Sequence, residues 1–417
     1  MNTAYVSVNQ TLVPLARDAH IPFYSLAFGM LVSYLPGFFE GGIGASVSYL
    51  GWMIPLLGCG FVVISRKALV SFPLHIWLVW VLWVLVYMLS AQEDNAIQRT
   101  VMLLTPLVVG IAFSALRVDA AMINVATMWI KYFLWIFLAA AGVATGLVGG
   151  QIYESTGFAA GSITASLLAT WFAVRHAGGD KQALFYWALL SIVPVLANTR
   201  TGMIAVALTL PLTLAPLSFS RRCLAVGVLV VAGLMVFQTE RIQNKMFFSG
   251  HGTVLDAISG VADLFGGDDV ESGDFATSGR KSMNDVLVAG LDDAYWFGHG
   301  ANTTEPIAMA IAKVTHPHND WLRLRYEYGI LGMLLFVITV LAQMWHAIRQ
   351  RSLLGGATPV IFIYAGVGAF IPMAIFMASD NVLLYVAWFG NLQFALLGLG
   401  YAALRAAKAD AAQGVAA

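Results

Sequence analysis

Apolar runs about twenty residues long, parted by short polar breaks, repeat along most of the chain. They fall near 21–39, 43–65, 69–91, 97–116, 120–147, 160–177, 182–198, 201–217, 223–238, 323–348, 359–379 and 383–404. A helix needs roughly 20 mostly apolar residues to cross a bilayer, so the pattern predicts about twelve transmembrane helices. One gap breaks the rhythm. Residues 239–322 are rich in Gly and Asp and too long for a connector. Within them, Val254, Leu255, Ile258 and Val261, and then Met283, Val286, Leu287 and Leu291, recur at helical spacing. They predict short amphipathic helices lying on the membrane surface. The expected fold class is an all-α integral membrane protein. Helices one to nine occupy 1–238, a loop subdomain 239–322, and the last three helices with a tail 323–417, all in one membrane domain.

Charge supplies the orientation. With a cytoplasmic N-terminus, the inner loops collect Arg17, Arg66, Lys67, Arg117, Arg175, Lys181, Arg221, Arg222, Arg349, Arg351, Arg405 and Lys408. The short outer loops hold only Arg99 and Arg200 as cations, beside Glu40, Glu93, Asp94, Glu154 and Asp380. This is the positive-inside asymmetry. It predicts that both termini are cytoplasmic and that the long loop is outside, as in a bacterial inner membrane with a periplasmic face. At 59% hydrophobic and 11% charged residues, against about 25% charged in soluble domains, the chain cannot cover a water-exposed surface of its own size. Zero net charge calls for no nucleic acid. Cys59 and Cys223 are too distant to suggest a disulfide framework or zinc site. The first twenty residues lack a small-residue cleavage site and are expected to be retained.

Polar groups at membrane depth or at its outer mouth are costly and tend to be functional. Four stretches qualify. In "ANTRTGM" (197–203), Arg200 sits in a tight hinge; its planar fork suits phosphate oxygens, and the alternative is a snorkelling arginine. In "TSGRKSMND" (277–285), Arg280 and Lys281 open a short helix whose N–H groups can add to an anion site; the alternative is a solvated loop cation. In "THPHNDWLRLRYEYGILG" (315–332), His316 and His318 precede Asn319 and Asp320, natural N-caps for the next helix. A His-x-His pair can ligate metal, but no further ligand sits at a recognisable spacing. A single neutral imidazole suffices as a general base, and His318 is the better candidate; His316 reads as scaffolding. Helical geometry puts 318, 322, 325 and 329 on one face, with Arg325 two turns below His318 and Arg323 free to pair with Glu327. In "SDNVLLY" (379–385), Asp380 either caps a helix or orients an arginine or a sugar hydroxyl. Lys131 lies inside the fifth span, and the acidic "GGDDVESGD" lacks calcium-loop spacing.

Arg200 in "NTRTG", Arg280 in "SGR", "WFGHGANT" at 296–303 and the run His318, Asn319, Leu322, Glu327, Gly329, Gly332 together resemble the O-antigen ligase and polymerase superfamily of bacterial envelope glycan assembly. The resemblance covers the second half of the chain; spans one to six match only in hydropathy. It implies about twelve spans, a large periplasmic loop, a GT-C-like architecture and a metal-independent glycosyltransferase needing no cofactor. The implied donor is a glycan on undecaprenyl pyrophosphate, and the implied acceptor in ligases is a sugar hydroxyl of lipid A–core. His318 is then the base and Arg200 and Arg280 hold the pyrophosphate. Arg325, Asn319, Lys281, Asp380 and His316 are further substrate contacts. Polymerases and protein O-oligosaccharyltransferases share these motifs, and the compact chain favours a ligase. A transporter of lipid-linked glycans would spread charge through the spans; here charge gathers at one face.

Overall fold

The computed structural model of the chain describes residues 20–34, 42–118, 120–147, 159–266, 280–354 and 359–412. Helices α1 (Ile21–Ser33), α2 (Gly42–Ser65), α3 (Leu74–Ser90), α4 (Ala96–Ser114) and α5 (Ala120–Leu147) come first. They are followed by α6 (Ala159–Ala177), α7 (Lys181–Leu196), α8 (Arg200–Thr209) and α9 (Phe219–Phe237). The long loop carries α10 (Glu240–Met246), α11 (Val254–Gly266), α12 (Arg280–Ala289) and α13 (Thr304–Ala312). Last come α14 (Asp320–Gln350), α15 (Val360–Gly368), α16 (Phe370–Met377) and α17 (Gly390–Ala412). No strand occurs among the described residues. Four helical stretches there are long and apolar enough to cross a membrane: α4, α9, Asp320–Leu354 and the joined pair Val360–Met377. Shorter apolar helices cover Ile21–Ser33, Tyr49–Ser65, Leu74–Ser90, Asn124–Ala140 and Lys181–Leu196. The chain is a multi-pass, all-helical membrane protein.

Two helices show the extremes of the bundle. The centre of α6 is wholly buried, and its Ser166 and Thr170 hydroxyls donate back to the carbonyls of Ile163 and Ser166, which satisfies them without water. By contrast, α9 buries none of its residues and exposes Leu224, Val228, Val231 and Met235. A helix apolar on every side and packed on little protein is suited to lipid. The face opposite the long loop is tied by cations: Arg405 of α17 donates to the Ser114 and Leu116 carbonyls, and Lys408 to Gln350.

Three expected elements differ. The eighth is only ten residues long, about 15 Å of helix. Beyond Thr209 the chain turns irregularly, and Arg222 satisfies the carbonyls of Pro211, Thr213, Ala215 and Leu217. The last helix begins at Gly390 rather than near 383, which frees residues 378–389 to form turns at the site. The loop helix α12 turns most of its apolar positions inward. Its Met283, Leu287 and Leu291 bury against Ala308 and Tyr326 in a small second core, leaving Val286 exposed. The other loop helix, α11, does expose Leu255 and Ile258. Its start is fixed by Asp256, which accepts from the Thr253 N–H and hydroxyl. The side chain of Val261 lies outside the described residues.

Candidate active site

The site begins with a break in α14. Gly329 has φ 70° and ψ 178°, a region essentially closed to residues with a side chain. The helix therefore loses its ladder bonds across this point, and the "WFGHG" loop replaces them. His299 and Gly300 donate to the carbonyls of Tyr326 and Glu327 at 2.8 and 2.9 Å, while Ile330 and Leu331 donate to Tyr295 and Trp296 at 3.0 and 3.3 Å. A Cβ on Gly329 would stand 2.2 Å from the Trp296 oxygen, and one on Gly298 2.4 Å from the Gly329 nitrogen. Only glycines allow the two backbones to interlock. Two separate sequence signatures are thus one structural joint.

Above the joint, buried charge anchors the first part of α14. Asn319 is the N-cap, its Oδ1 accepting from Leu322 N at 3.0 Å. Asp320 is fully buried rather than a second cap. One of its oxygens accepts from Leu383 N at 2.8 Å and the other lies 2.9 Å from Arg323. The pairing expected between Arg323 and Glu327 is not the contact formed. Glu327 accepts from the Thr304 hydroxyl at 2.5 Å and from the Asn302 and Thr304 N–H groups, capping α13 from a neighbouring helix. The shared face of His318 and Arg325 also fails, because His318 precedes the helix start. Arg325 instead lies over the Tyr295 ring, 5.5 Å from its centroid.

The two histidines differ in their contacts. Both nitrogens of His316 are engaged, Nδ1 with the Thr315 hydroxyl at 2.7 Å and Nε2 with the Tyr385 hydroxyl at 3.0 Å. Burial, followed by the positive charges of arginines that include Arg99 and Arg323, holds its ring well below the usual histidine pKa, so His316 is neutral at pH 7. His318, 5.6 Å away between ring centroids, directs Nδ1 at Asp380 Oδ1 at 3.4 Å and at the Asn381 amide at 3.3 Å. A carboxylate only accepts, so Nδ1 carries the proton. The Asn381 atom facing the ring is Nδ2, so a proton on Nδ1 requires that amide to turn its unpartnered oxygen to the ring. This tautomer leaves the Nε2 lone pair available. Asp380 itself is fixed by Asn381 N, which donates to it at 2.9 Å.

Arg200 enters from α8. Asn198 takes a left-handed conformation at φ 51° and donates to the Arg241 carbonyl, turning the chain into Thr199, the N-cap. The Thr199 and Ser162 hydroxyls share a 2.5 Å hydrogen bond, and Gly202 permits that approach, since a Cβ there would meet both side chains. Arg200 is the first residue of α8, and the next, Thr201, hydrogen-bonds Ser379. Ser379 adjoins Asp380 in sequence, so Arg200 is carried to the same segment that holds His318. Arg280 begins α12, but its side chain lies outside the described residues. Lys281 is half-buried on that helix. No trio of His, Cys, Asp or Glu among the described residues is grouped for a metal ion.

Residues 185–337 match the O-antigen ligase family model. The likeness to the O-antigen ligase and polymerase superfamily, first visible in the motifs, is thereby shown. The matched segment contains Arg200, Arg280, both histidines and the α14 joint. A comparison with curated proteins finds no match. Asp380, Asn381 and Tyr385 lie beyond the O-antigen ligase match. The first was singled out as a lone acid; the other two carried no signal apart from sharing its segment. Arg99 was visible as an outer cation against the charge trend, yet its nearness to the histidines was not legible.

Proposed function

We propose that this chain is a lipid-linked glycan transferase of the O-antigen ligase type, acting at the periplasmic face of a bacterial inner membrane. The observation that carries the reading is the His318–Asp380 pair, with Nε2 of His318 left available beside a hinge bearing Arg200. The donor is a glycan on undecaprenyl pyrophosphate and the acceptor a sugar hydroxyl of lipid A–core.

In this mechanism the acceptor oxygen attacks the anomeric carbon while its proton passes to His318 Nε2. The bond from that carbon to the pyrophosphate oxygen breaks, undecaprenyl pyrophosphate departs, and the anomeric centre inverts. Asp380 holds the ring in the required tautomer and stabilises the imidazolium that forms. Arg200 and Arg280 offset the growing charge on the leaving pyrophosphate. In this reading Arg325, which lies over the Tyr295 ring, and Lys281 on α12 are further substrate contacts. Asn319 serves the helix cap and His316 the Tyr385 contact, so both support the site from behind.

The test is a reconstituted reaction with the purified chain, lipid-linked glycan and lipid A–core, run with and without a chelator. Glycan attached to lipid A–core, in both conditions, is the expected product. Glycan joined to glycan would instead make it a polymerase. Glycan crossing the bilayer with no covalent product would make it a transporter.

A further inference from the structure

The loop helices α10 and α11 have no role in the scheme above. They are fastened to the loop-side end of α9. That helix ends at Phe237, and α10 begins at Glu240. Gln243 of α10 is buried and ties three segments together: its Nε2 donates to the Phe237 carbonyl at 3.0 Å, and its Oε1 accepts from Gly252 N at 2.8 Å. Phe247 and Ala257 are buried together, with Phe237 and Met246 packed against them. So α11 is folded back onto the end of α9. At 3.6 residues per turn, its described residues fall on three sides. Ala257 and Gly260 are buried, Asp256 and Ser259 form an exposed polar side, and Val254, Leu255 and Ile258 form an exposed apolar side. Leu255 is 76% exposed, Ile258 60%, and Phe248, just before the turn into α11, 78%. A helix between protein and water needs only two kinds of side. The third calls for another neighbour.

We propose that α10 and α11 form an outer-leaflet anchor, with Phe248, Leu255 and Ile258 sunk in lipid, and that this anchor sets the depth of the Arg200 hinge. Lipid is the occupant because of where the unit is attached. The helix beneath it, α9, buries none of its residues and is apolar enough to span, so its end lies at the membrane boundary and α11 lies there with it. An interfacial helix buries its apolar side about 5–10 Å into the headgroup and acyl boundary and keeps its polar side in water. The link to the hinge is a hydrogen bond. Asn198 Nδ2 donates to the carbonyl of Arg241 on α10 at 3.3 Å, and Asn198 stands two residues before Arg200 in a left-handed conformation. The anchor thus holds the turn from which Arg200 projects. The role of hinge depth rests on the transferase reading; the lipid contact does not.

The test uses the full chain, with Cys223→Ser and the buried Cys59 kept, in nanodiscs of phosphatidylethanolamine and phosphatidylglycerol. Nitroxide labels are placed at Leu255→Cys, Ile258→Cys and Ser259→Cys. The labels at 255 and 258 should be open to oxygen and shielded from a water-soluble nickel chelate, and the label at 259 the reverse. Labels at 255 and 258 as open to the chelate as that at 259, or shielded from both reagents by protein, would overturn the proposal. A second arm measures transfer by the triple variant Phe248→Ser, Leu255→Ser, Ile258→Ser and by Asn198→Gly, which keeps the left-handed turn and drops the bond to Arg241. Each should lower kcat/KM for the donor by up to roughly a hundredfold, the cost of an ångström-scale misplacement, with acceptor KM unchanged. Combined, they should be no worse than one alone, because both release the same hinge. Additive losses, or a lowered thermal midpoint with donor kcat/KM unchanged, would overturn the hinge role. If the labels report lipid while wild type transfers no glycan, the anchor stands and the transferase reading falls.

Discussion

His318 and Asp380 lie 62 residues apart in sequence, yet their side chains meet at 3.4 Å between Nδ1 and Oδ1. The contact orients a histidine whose second nitrogen is open to a substrate. It also depends on the turn at 378–389, which exists because α17 starts late. Asp380→Asn keeps the shape but no longer requires a proton on Nδ1 and cannot stabilise the imidazolium. It should lower kcat by roughly a hundredfold or more, within the range of general base contributions, with little change in donor KM. Steady-state kinetics in proteoliposomes make that distinction.

The glycine joint is a stability claim. Gly329→Ala puts a side chain where φ is 70° and meets the Trp296 carbonyl. Backbone strain alone costs about 1–3 kcal/mol, and the four bonds between the loop and α14 are pushed apart as well. The expected outcome is a lowered thermal midpoint together with lost activity. Gly60→Ala, a helical position with open space around it, should be near neutral.

Buried charge makes a third claim. Asp320 and Arg323 are 0% and 6% exposed in their side chains. Removing one partner strands the other, at about 3–5 kcal/mol. Asp320→Asn should therefore destabilise strongly. The double variant Asp320→Leu with Arg323→Met should be less damaged than the single change. Thermal unfolding of the three proteins in one detergent tests the ordering.

His316 predicts a pH dependence. Its folded pKa is depressed by burial and by neighbouring positive charge, so below about pH 6.5 the unfolded chain binds a proton that the folded chain does not. Stability from this residue is present above the unfolded pKa and lost as pH falls toward the folded one. Acidifying from pH 7.5 to 5.5 should lower the thermal midpoint of wild type more than that of His316→Asn.

Much of this was legible in the chain, for identifiable reasons. Hydropathy located helices because lipid demands long apolar runs, and it failed at α8, where an arginine-capped irregular segment is equally apolar. The two histidines were equivalent in local pattern but differ in contacts, since both nitrogens of His316 are engaged and only Nδ1 of His318 is, among the described residues. The face shared by His318 and Arg325 was an error of register, because Asn319 rather than His318 starts the helix. Asp380 is joined to His318 only through tertiary packing, which no local pattern encodes. The glycines of "WFGHG" and "YEYGILG" were visible as motifs, but their mutual interlock is a long-range fact.

The most direct test of the account is transfer by His318→Ala in proteoliposomes holding lipid-linked glycan and lipid A–core, beside His316→Ala and wild type. The account predicts that His318→Ala inserts and folds as wild type does but loses transfer by roughly 10²–10⁴-fold, while His316→Ala retains most of it. Wild-type rates in His318→Ala would contradict it.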